Sequence, residues 1–553
     1  MLLSCVLAAG CWRVYSNTWD EPEHLAAGVE LLDRGRYEYD TEHPPLARVL
    51  LALGPWLAGA HAYGTPPPEG TLEGIDILYS GGHYWRYLTL ARLDMLPFLL
   101  LLLWATWLWA RRLFDPLAAL LPVLFVASVP PVLGNAALAS LDVAAAATIL
   151  LALYTLQRWL VSAAARDALL FGLATGFAVC TKFSAIPFIG LSLITLALAH
   201  HLVAARPAAA GAAARAGARA AASVPWARRL VGLMIAAAAL LVPVWLAYGP
   251  RAPNDAHVAV RFDWAVAYLL MHGGFDHALG VLLSHVWLPR ELKDLVNGVI
   301  AVKAHNDSGH RSYFLGAVRE TGWWDFYLVA LAVKTPIPLL FAGPVGVAWL
   351  ARTGWRARDS WALAPLVVVA TLLTFASTFS RINIGIRHIL IVYPFLALGA
   401  AYLAQRAWRA IVAQRNARLA LASAAAVAAL LAWQLSTLWR AYPDYLPYFN
   451  EAVAHPERVL VDSDLDWGQD LYRLEQRATQ LHIQHLSLAY RGTADLAREP
   501  LPTLYILPPH QPVTGWVAVS ELARTRDPND YHWLDAYRPL ERVGKSIDLY
   551  YIP

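Results

Sequence analysis

The sequence predicts an all-α polytopic membrane protein with a small soluble α/β domain at its C-terminus, and three observations support this fold class. Hydrophobic residues make up 58% of the 553 residues, charged residues only 15%, and mean hydropathy is +0.43. Soluble domains carry about 25% charged residues. Apolar runs recur along most of the chain, whereas the final roughly 110 residues alternate short β-rich segments with one helical segment.

The apolar runs predict about eleven transmembrane helices, at roughly 20 residues per crossing. They lie near residues 1–12, 95–110, 116–131, 143–157, 168–181, 185–202, 230–248, 325–350, 361–379, 389–404 and 419–438. Between two of these runs, Ala and Arg dominate residues 203–229. That low-complexity segment is typical of a flexible cytoplasmic linker.

Arginine residues predict the orientation, because short cytoplasmic loops retain basic residues. They fall in every second loop, at Arg111, Arg112, Arg158, Arg166, Arg206, Arg215, Arg219, Arg228, Arg229, Arg352, Arg356, Arg358, Arg406, Arg409, Arg415 and Arg418. The remaining loops, at about 13–94, 132–142, 249–323 and 380–388, then face the opposite compartment. We therefore expect a membrane-embedded domain over 1–440 and an extracytoplasmic α/β domain over 441–553.

Charge and cysteine content exclude other classes of function. The net charge is only +4, and the basic loops are explained as topology signals, so the expected partner is the lipid bilayer and no nucleic acid. Cys5, Cys11 and Cys180 all lie in apolar stretches. A disulfide scaffold or a cysteine metal site is therefore not expected in the outer loops.

The first outer loop contains the densest group of polar residues, in the stretch SNTWDEPEHLAAGVELLDRGRYEYDTEHPPL. TWDEPEHLAAGVELLDRG predicts a helix with Asp20 as N-cap, Glu23 three residues later and Pro22 in the first turn. A capping box alone would explain Asp20 and Glu23 without any chemistry. Both interpretations of Asp20 remain open at this point.

Helix capping does not explain the other polar residues of this loop. Glu21 stands beside Asp20, His24 lies one turn later on the same face, and Glu42 and His43 form a second acid and histidine pair. The following HPPLARVLLALGPWLAG predicts an amphipathic helix on the membrane surface. We therefore expect the loop to be held at the interface.

Three charged residues lie at or within predicted spans. Asp142 stands at the start of the fourth, where an N-cap role and a functional role are both open. Lys182 divides an apolar stretch, and Lys334 lies deep in the eighth span. A buried cation in a membrane marks a functional site or a polar cavity, unless its long stem reaches the interface.

The segment FSRINIGIRHIL places Arg381, Arg387 and His388 at the outer membrane surface. Cations on this side run against the topology bias of basic residues. Guanidinium groups bind phosphate through paired hydrogen bonds. The segment therefore favours a phosphate-binding role.

The tail reads as a strand, a loop and a helix over ERVLVDSDLDWGQDLYRLEQRATQL, followed by strand-like LSLAY, TLYIL, GWVAV and IDLYYI. Four aspartates crowd the predicted loop after the strand, where open α/β sheets bind ligands: Asp462, Asp464, Asp466 and Asp470. A calcium loop would need Gly in place of Trp467 and Glu in place of Arg473. A ligand site is thus favoured over a calcium loop.

Motifs along nearly the whole chain resemble the bacterial membrane-embedded C-type glycosyltransferases, which include protein O-mannosyltransferases and lipid A aminoarabinose transferases. These motifs are DEPEHLAAG, EHPPLARVL, TKFSA, VKTPIPLL, NIGIRHILIVYPFL, YPDYLPYFNE and DSDLDWGQDL. The resemblance implies the C-type fold and a bacterial inner membrane location. It also implies that the active site and the C-terminal domain are extracytoplasmic.

The resemblance further implies a hexosyl- or pentosyltransferase that moves a sugar from a polyprenyl-phosphate donor to a protein, lipid or glycan acceptor. A first-loop carboxylate serves as base in the family, and Asp20 matches it by position; a base is needed because the acceptor hydroxyl loses a proton during attack. Glu21 is then a candidate to orient the base, and Asp142 is a third candidate catalytic carboxylate.

The leaving phosphate needs cations. The candidates for this site are Lys182, Lys334, Arg381, Arg387 and His388. No cofactor is expected with certainty, but some relatives hold a divalent metal near the first loop. His24, Glu42 and His43 are the candidate ligands for such a metal.

A polytopic transporter or a lipid-linked-sugar flippase without transferase activity is the alternative from another class, because buried cations also suit a translocation pathway. Two observations weigh against it. The predicted charged groups gather on one side and not at the midplane, and the hydropathy shows no repeat between the two halves. A non-catalytic assembly or binding protein that uses its tail is a third alternative.

Overall fold

The computed structural model describes residues 1–205, 225–249, 255–527 and 529–553. Within this part of the chain, the predicted helical architecture and the C-terminal α/β domain are both present. The predicted linker at 203–229 lies for the most part outside the described residues. Only its two ends are described, where they continue the adjoining helices.

The helices up to residue 249 include the first outer loop. They are α1 (Leu2–Gly10), α2 (Glu21–Arg34), α3 (Pro45–Leu57), α4 (Gly70–Tyr79), α5 (Tyr84–Leu113), α6 (Leu120–Ala127), α7 (Pro130–Ala136), α8 (Asp142–Ser162), α9 (Ala165–Val179), α10 (Ala185–Ala205) and α11 (Trp226–Tyr248). The helix predicted after Asp20 is thus present as α2, and it ends where Gly35 adopts a left-handed φ of 59°. The predicted interfacial helix corresponds to α3.

The second large outer loop, predicted at 249–323, and the remaining membrane helices follow. They are α12 (Asp255–Met271), α13 (Phe275–His285), α14 (Arg290–Ser308), the hairpin of β1 (Ser312–Phe314) and β2 (Ala317–Arg319), α15 (Phe326–Lys334), α16 (Ile337–Ala357), α17 (Ser360–Phe379), α18 (Val392–Ala413) and α19 (Ala417–Ala441).

Seven helices of the described chain are long and apolar enough to cross a membrane, namely α5, α8, α10, α11, α16, α17 and α19. Each of them coincides with one of the predicted spans. The other four predicted spans fall on the short helix α1, on α6 and α7, on the 15-residue α9, and on α18. The α18 helix has 22 residues but is not among the seven.

Close packing of small residues brings the membrane helices together. A Cβ atom on Gly346 of α16 would lie 1.9 Å from the carbonyl oxygen of Gly399 on α18, so any side chain there would separate the two backbones. Trp109 of α5 is fully buried in the same core, where its ring meets Phe395 edge-on at 5.3 Å. Packing of this kind drives helix association where lipid replaces water.

The segments predicted to face away from the cytoplasm meet at one end of the helices. The Ala139 amide, in the loop before α8, donates to Glu21 Oε1 of the first outer loop at 2.8 Å. The arginine-rich segments meet at the other end, where Gln157 Nε2 donates to Ser360 Oγ at 3.0 Å. This arrangement agrees with the predicted alternation of loops.

The tail folds around a mixed five-stranded sheet. Its elements are α20 (Asp462–Leu465), α21 (Leu471–Gln480), β3 (His485–Ala489), β4 (Thr503–Ile506), β5 (Gly515–Ser520), α22 (Glu521–Arg526), β6 (Glu541–Val543) and β7 (Ile547–Ile552). The strand order is β4-β3-β5-β7-β6, with β3 parallel to β4 and β5, and β7 antiparallel to β5 and β6. The four strands predicted after α21 are all confirmed.

The strand predicted at the start of the tail is wrong. Residues Pro456–Arg458 form a 3-10 turn, and the chain enters the short helix α20 directly. Leu460 and Val461 are buried, but Leu460 forms only an isolated bridge to Phe314 of the second large outer loop. Their hydrophobic side chains pack between the tail and that loop, so they do not extend the tail sheet.

Candidate active site

A cavity of about 1090 Å³ lies where the first outer loop, the starts of α8 and α10, the end of α17 and the tail meet. One flank is apolar and is lined by Ala145, Ala146, Ile149, Phe183, Ile186, Phe188, Phe375 and Phe379. The other flank carries most of the charged groups of the cavity. Its charged and histidine side chains include Asp20, Glu23, Asp40, Glu42, His43, Asp142, Lys182, His305, His310, Arg381, Arg387, His388, Asp462 and Arg526.

Asp20 occupies the N-cap position of α2, but its side chain makes no capping hydrogen bond. Its Oδ2 atom instead accepts a hydrogen bond from Arg387 Nη1 at 2.6 Å. The side chain is 23% exposed and lines the cavity. The capping explanation therefore does not describe Asp20, whose carboxylate is directed toward the charged flank.

Asp142 completes a central charge cluster, which consists of Asp20, Asp142, Lys182 and Arg387. Lys182 Nζ lies 2.5 Å from Asp142 Oδ1, and Arg387 Nη1 lies 3.6 Å from Asp142 Oδ2. Asp142 is not an N-cap, because Leu141 holds that position and Asp142 is the first residue of α8. Four predicted site residues from four separate segments thus meet at one place.

Arg387 lies in a 3-10 turn over Ile386–Ile389, and the tail holds this turn in place. The Trp467 ring stacks against the guanidinium, with a distance of 4.2 Å from Arg387 Cζ to the ring centroid. The Ile386 amide donates to Asp464 Oδ1 at 3.1 Å. Arg387 Nε is buried and has no hydrogen-bond partner within the described residues. This nitrogen of the guanidinium is therefore unpaired within the described part of the chain.

Two other predicted phosphate ligands also line the cavity. Burial lowers the pKa of His388 well below its usual value, and nearby Lys182 and Arg387 add to the shift, so the ring is neutral at physiological pH. Arg381 lies at the exposed rim, where Nη1 donates to the carbonyl of Asp307 at 3.0 Å. His388 is thus beside the cluster, and Arg381 is at the entrance.

Glu23 gives the cavity a second acidic region next to the cluster. Burial and the neighbouring carboxylate of Asp40 raise the pKa of Glu23 to about 7. The group is therefore partly protonated near neutral pH. Its side chain faces the cavity, so the capping box predicted for Asp20 and Glu23 is absent at both positions.

The predicted metal ligands are not arranged as a metal site, and within the described chain no three His, Cys, Asp or Glu side chains are grouped to hold an ion. Each of the three candidates has its own hydrogen-bond partner: Arg48 for His24 (3.2 Å), Asp40 for His43 (2.9 Å) and His305 for Glu42 (2.7 Å). The guanidinium of Arg48 occupies His24 Nδ1, one of the two ring nitrogens that can bind a metal. The predicted trio is therefore wrong as a ligand set.

Glu21 was predicted to orient the base, and the structure assigns it a different role. Its carboxylate accepts from Arg92 Nε and Nη2, both at 2.8 Å, from the Thr18 amide at 2.7 Å and from the Ala139 amide at 2.8 Å. The side chain is 1% exposed and does not line the cavity. Glu21 therefore joins the first outer loop to α5 and to the loop before α8.

Lys334 does not face the cavity either, so its predicted place beside Arg387 is wrong. It is 1% exposed, and Nζ donates to the carbonyls of Leu446 at 2.9 Å and Asp464 at 2.6 Å. The Phe449 ring lies 4.4 Å from Nζ. The ammonium does not reach the interface by snorkelling, because it is buried between α15 and the tail.

We expect Lys334→Met to destabilise the protein by roughly 3 kcal/mol, because it leaves two buried carbonyls without a donor and removes the cation beside Asp464. Thermal unfolding of the purified protein, together with limited proteolysis of the tail, measures this loss. Lys545→Met, at an exposed lysine of the tail, is the control and should leave unfolding almost unchanged. If Lys334→Met instead had normal stability and no longer bound polyprenyl phosphate, Lys334 would be a ligand of the donor phosphate and not a structural residue.

The four tail aspartates do not form one ligand site. Only Asp462 lines the cavity. Asp464 accepts from the Ile386 amide, Asp466 from the Leu522 amide at 2.7 Å, and Asp470 from Ser546 Oγ at 2.9 Å. Those three carboxylates are fully buried and serve the packing of the tail.

Several residues of the site were not identified from the sequence. Arg92 anchors Glu21, Trp467 stacks on Arg387, and Arg526 and His305 line the cavity. Arg92 could have been identified from the sequence, because it is a cation at the outer end of a predicted span, where the topology bias disfavours basic residues. The other three show no pattern that distinguishes them from ordinary loop residues.

Residues 1–256 match the family described as dolichyl-phosphate-mannose-protein mannosyltransferase. The match confirms the predicted resemblance over slightly less than half of the chain. Together with the seven apolar helices, it identifies a multi-pass membrane protein. No curated protein matches the chain.

Solved structures show a more distant likeness. The oligosaccharyltransferase AglB from Archaeoglobus fulgidus, in complex with an inhibitory peptide and a dolichol-phosphate, is 14% identical over 80% of this chain and 55% of its own (TM-score 0.46). The chain thus spans just over half the length of that protein. ArnT from Cupriavidus metallidurans, bound to undecaprenyl phosphate, is 14% identical over 99% of this chain and 96% of its own (TM-score 0.45).

Proposed function

We propose that this membrane protein is a glycosyltransferase that moves a hexose or pentose from a polyprenyl-phosphate-linked donor to an acceptor on the extracytoplasmic side of a bacterial inner membrane. Residues 1–440 would form the membrane-embedded domain, and residues 441–553 the extracytoplasmic α/β domain. The single observation that carries the proposal is the central charge cluster, in which a carboxylate and a guanidinium line a cavity with one apolar flank. The family matched by residues 1–256 also takes its name from a lipid-linked sugar donor.

The guanidinium of Arg387 is the proposed ligand for the donor phosphate. Its buried Nε has no partner within the described chain, and its Nη1 is paired with the carboxylates of Asp20 and Asp142, which a phosphate can replace. A guanidinium binds phosphate oxygens through two parallel bonds, and the unpaired Nε is one of the donors that such a ligand can use. Lys182 adds a second positive charge beside the same cavity, and Asp142 positions it.

The apolar flank is the proposed path of the lipid chain. Its side chains come from the starts of α8 and α10 and from the end of α17, all of which are helices that can cross a membrane. A polyprenyl chain has no polar atoms, so it needs a lining of this kind to leave the bilayer core. The phosphate would then lie where the apolar flank meets the charge cluster.

Asp20 is the proposed general base. When phosphate binds Arg387, the Asp20 carboxylate loses its cationic partner and is free to accept the proton of the acceptor hydroxyl. The acceptor oxygen forms a bond to the anomeric carbon as the bond from that carbon to the phosphate oxygen breaks. The proton goes to Asp20, and the new negative charge on polyprenyl phosphate is stabilised by Arg387 and Lys182.

The transporter or flippase alternative has less support. A translocation pathway needs polar groups near the membrane midplane. The charged groups of this cavity come from the first outer loop, the helix ends and the tail, which meet at one end of the helices. A cavity with its charged groups at one end of the helices suits a reaction of a membrane-bound donor better than passage across the membrane.

The proposal is tested by lipid and glycoconjugate mass spectrometry on a strain that carries the gene and on its deletion mutant. The deletion should accumulate one polyprenyl-phosphate-linked sugar and lose one glycosylated lipid, protein or glycan, which also identifies sugar and acceptor. Complementation with the wild-type gene should reverse both changes. Unchanged lipid-linked sugars and glycoconjugates in the deletion mutant would contradict the transferase assignment.

A further inference from the structure

The tail contributes Asp462 to the wall of the cavity that holds the central charge cluster. We infer that the Asp462 carboxylate binds hydroxyl groups of the donor's sugar ring and so helps to select the sugar. This inference rests on the proposed function, because it needs a glycosylated lipid phosphate in the cavity. It gives the tail a direct role in substrate recognition.

The hydrogen bonding of Asp462 leaves one oxygen for a ligand. Oδ1 accepts from the Ser463 amide at 2.7 Å, whereas no hydrogen bond to Oδ2 is found in the described part of the chain. The Asp462 side chain is partly exposed, and it lines the cavity. Asp464, Asp466 and Asp470 differ in this respect, because each is fully buried among protein groups.

The backbone of Asp462 is held in a strained conformation. Its φ of 37° is in the left-handed region, which residues with a side chain rarely adopt. Neighbouring contacts enforce this geometry: Ser463 Oγ donates to the Ile384 carbonyl, and Lys334 Nζ donates to the Asp464 carbonyl. Strain of this kind persists where the surroundings over-determine a position, and it is concentrated at ligand sites.

The location of Asp462 relative to the proposed phosphate site favours the sugar as its ligand. The segments that carry Arg387 and Asp462 lie side by side, because the Ile386 amide donates to Asp464 Oδ1 at 3.1 Å and Ser463 Oγ donates to the Ile384 carbonyl. Asp20, Arg387 and Asp462 all line the same cavity. In the donor, the anomeric carbon of the sugar is bonded directly to an oxygen of the phosphate that Arg387 would bind. The ring must therefore occupy the space next to Arg387, which Asp20 and Asp462 border.

The protonation state of Asp462 suits this role. Burial raises its pKa to about 6, and Arg387 opposes the shift, so the group is mostly ionised at neutral pH. An ionised carboxylate accepts charge-assisted hydrogen bonds from hydroxyl groups. Because the positions of hydroxyls distinguish one sugar from another, a fixed carboxylate at this place discriminates among sugars.

Binding of defined lipids to the purified full-length protein tests the inference. The probes are undecaprenyl phosphate and the same lipid carrying mannose, glucose, galactose or 4-amino-4-deoxyarabinose. We expect the wild type to bind at least one glycosylated lipid more tightly than the bare lipid. Asp462→Asn should weaken that complex about tenfold and leave the affinity for undecaprenyl phosphate unchanged.

The asparagine variant is a matched change. Its amide oxygen can still accept from the Ser463 amide, and asparagine tolerates a left-handed φ better than most residues. Asp535→Asn, at an exposed carboxylate of the tail, is the control and should bind all lipids as the wild type does. Thermal unfolding of both variants verifies that they are folded.

The outcomes distinguish a failure of the proposed donor class from a failure of the proposed role of Asp462. If wild-type protein does not bind undecaprenyl phosphate at all, the proposed donor class fails. If it binds the bare lipid but prefers no glycosylated lipid, or if Asp462→Asn keeps the wild-type preference, the role of Asp462 is wrong. An equal loss for bare and glycosylated lipids would show that Asp462 is only structural, which also overturns the inference.

Discussion

Asp20→Asn should reduce sugar transfer by at least about a hundredfold while the protein stays folded, because general bases contribute at least that factor. The amide is nearly isosteric and can still accept the hydrogen bond from Arg387 Nη1, so the cluster keeps its geometry. It cannot accept a proton from the acceptor hydroxyl. Turnover of donor with the acceptor identified in the deletion mutant measures the loss.

Glu69→Gln is the control for this experiment, because Glu69 is an exposed carboxylate of the same loop. It should transfer sugar at the wild-type rate. Thermal unfolding and size-exclusion profiles of Asp20→Asn should match those of the wild type. Full activity in Asp20→Asn would rule out Asp20 as the general base and leave it only the hydrogen bond to Arg387.

Arg387→Ala should weaken the binding of undecaprenyl phosphate about a hundredfold, because it removes a pair of charge-assisted hydrogen bonds. The affinity of Arg387→Lys for the lipid should lie between those of the wild type and Arg387→Ala, since an ammonium retains the charge but not the planar geometry of the guanidinium. Titration of the purified variants with the lipid measures both changes. The Trp467 ring would also lose its cationic partner in the alanine variant.

Arg319→Ala provides the comparison, because Arg319 is an exposed arginine of the second large outer loop. Its affinity for the lipid should equal that of the wild type. Lys182 still pairs with Asp142 in Arg387→Ala, so we expect the variant to fold. Undiminished lipid binding by a folded Arg387→Ala protein would rule out this phosphate site.

The first outer loop, the membrane helices and the tail all contribute to the site that these experiments examine. Asp20 comes from that loop, Asp142 and Lys182 lie at the starts of α8 and α10, and Asp462 and Trp467 come from the tail. The segment around Trp467 is also joined to the first outer loop, where the Trp19 amide donates to the Trp467 carbonyl at 3.0 Å. A change in the docking of the tail therefore acts directly on the cavity.

The sequence alone determined the elements that depend on local pattern. The apolar runs predicted the crossing helices, because each run needs only its own residues to satisfy its backbone within lipid. The helix α2 and the four late strands followed from periodicity and turn residues in the same way. Charge against the topology bias also identified Arg387, which the structure places in the cluster.

Only the tertiary structure decided which charged residues share the cavity. Glu21 and Asp20 are neighbours in sequence, yet Glu21 pairs with Arg92, 71 positions away, and Asp20 with Arg387, 367 positions away. Lys334 satisfies a tail carbonyl 130 positions away and has no place in the cavity. A buried charge takes whichever partner the packing of distant segments brings to it, and no local pattern contains that information.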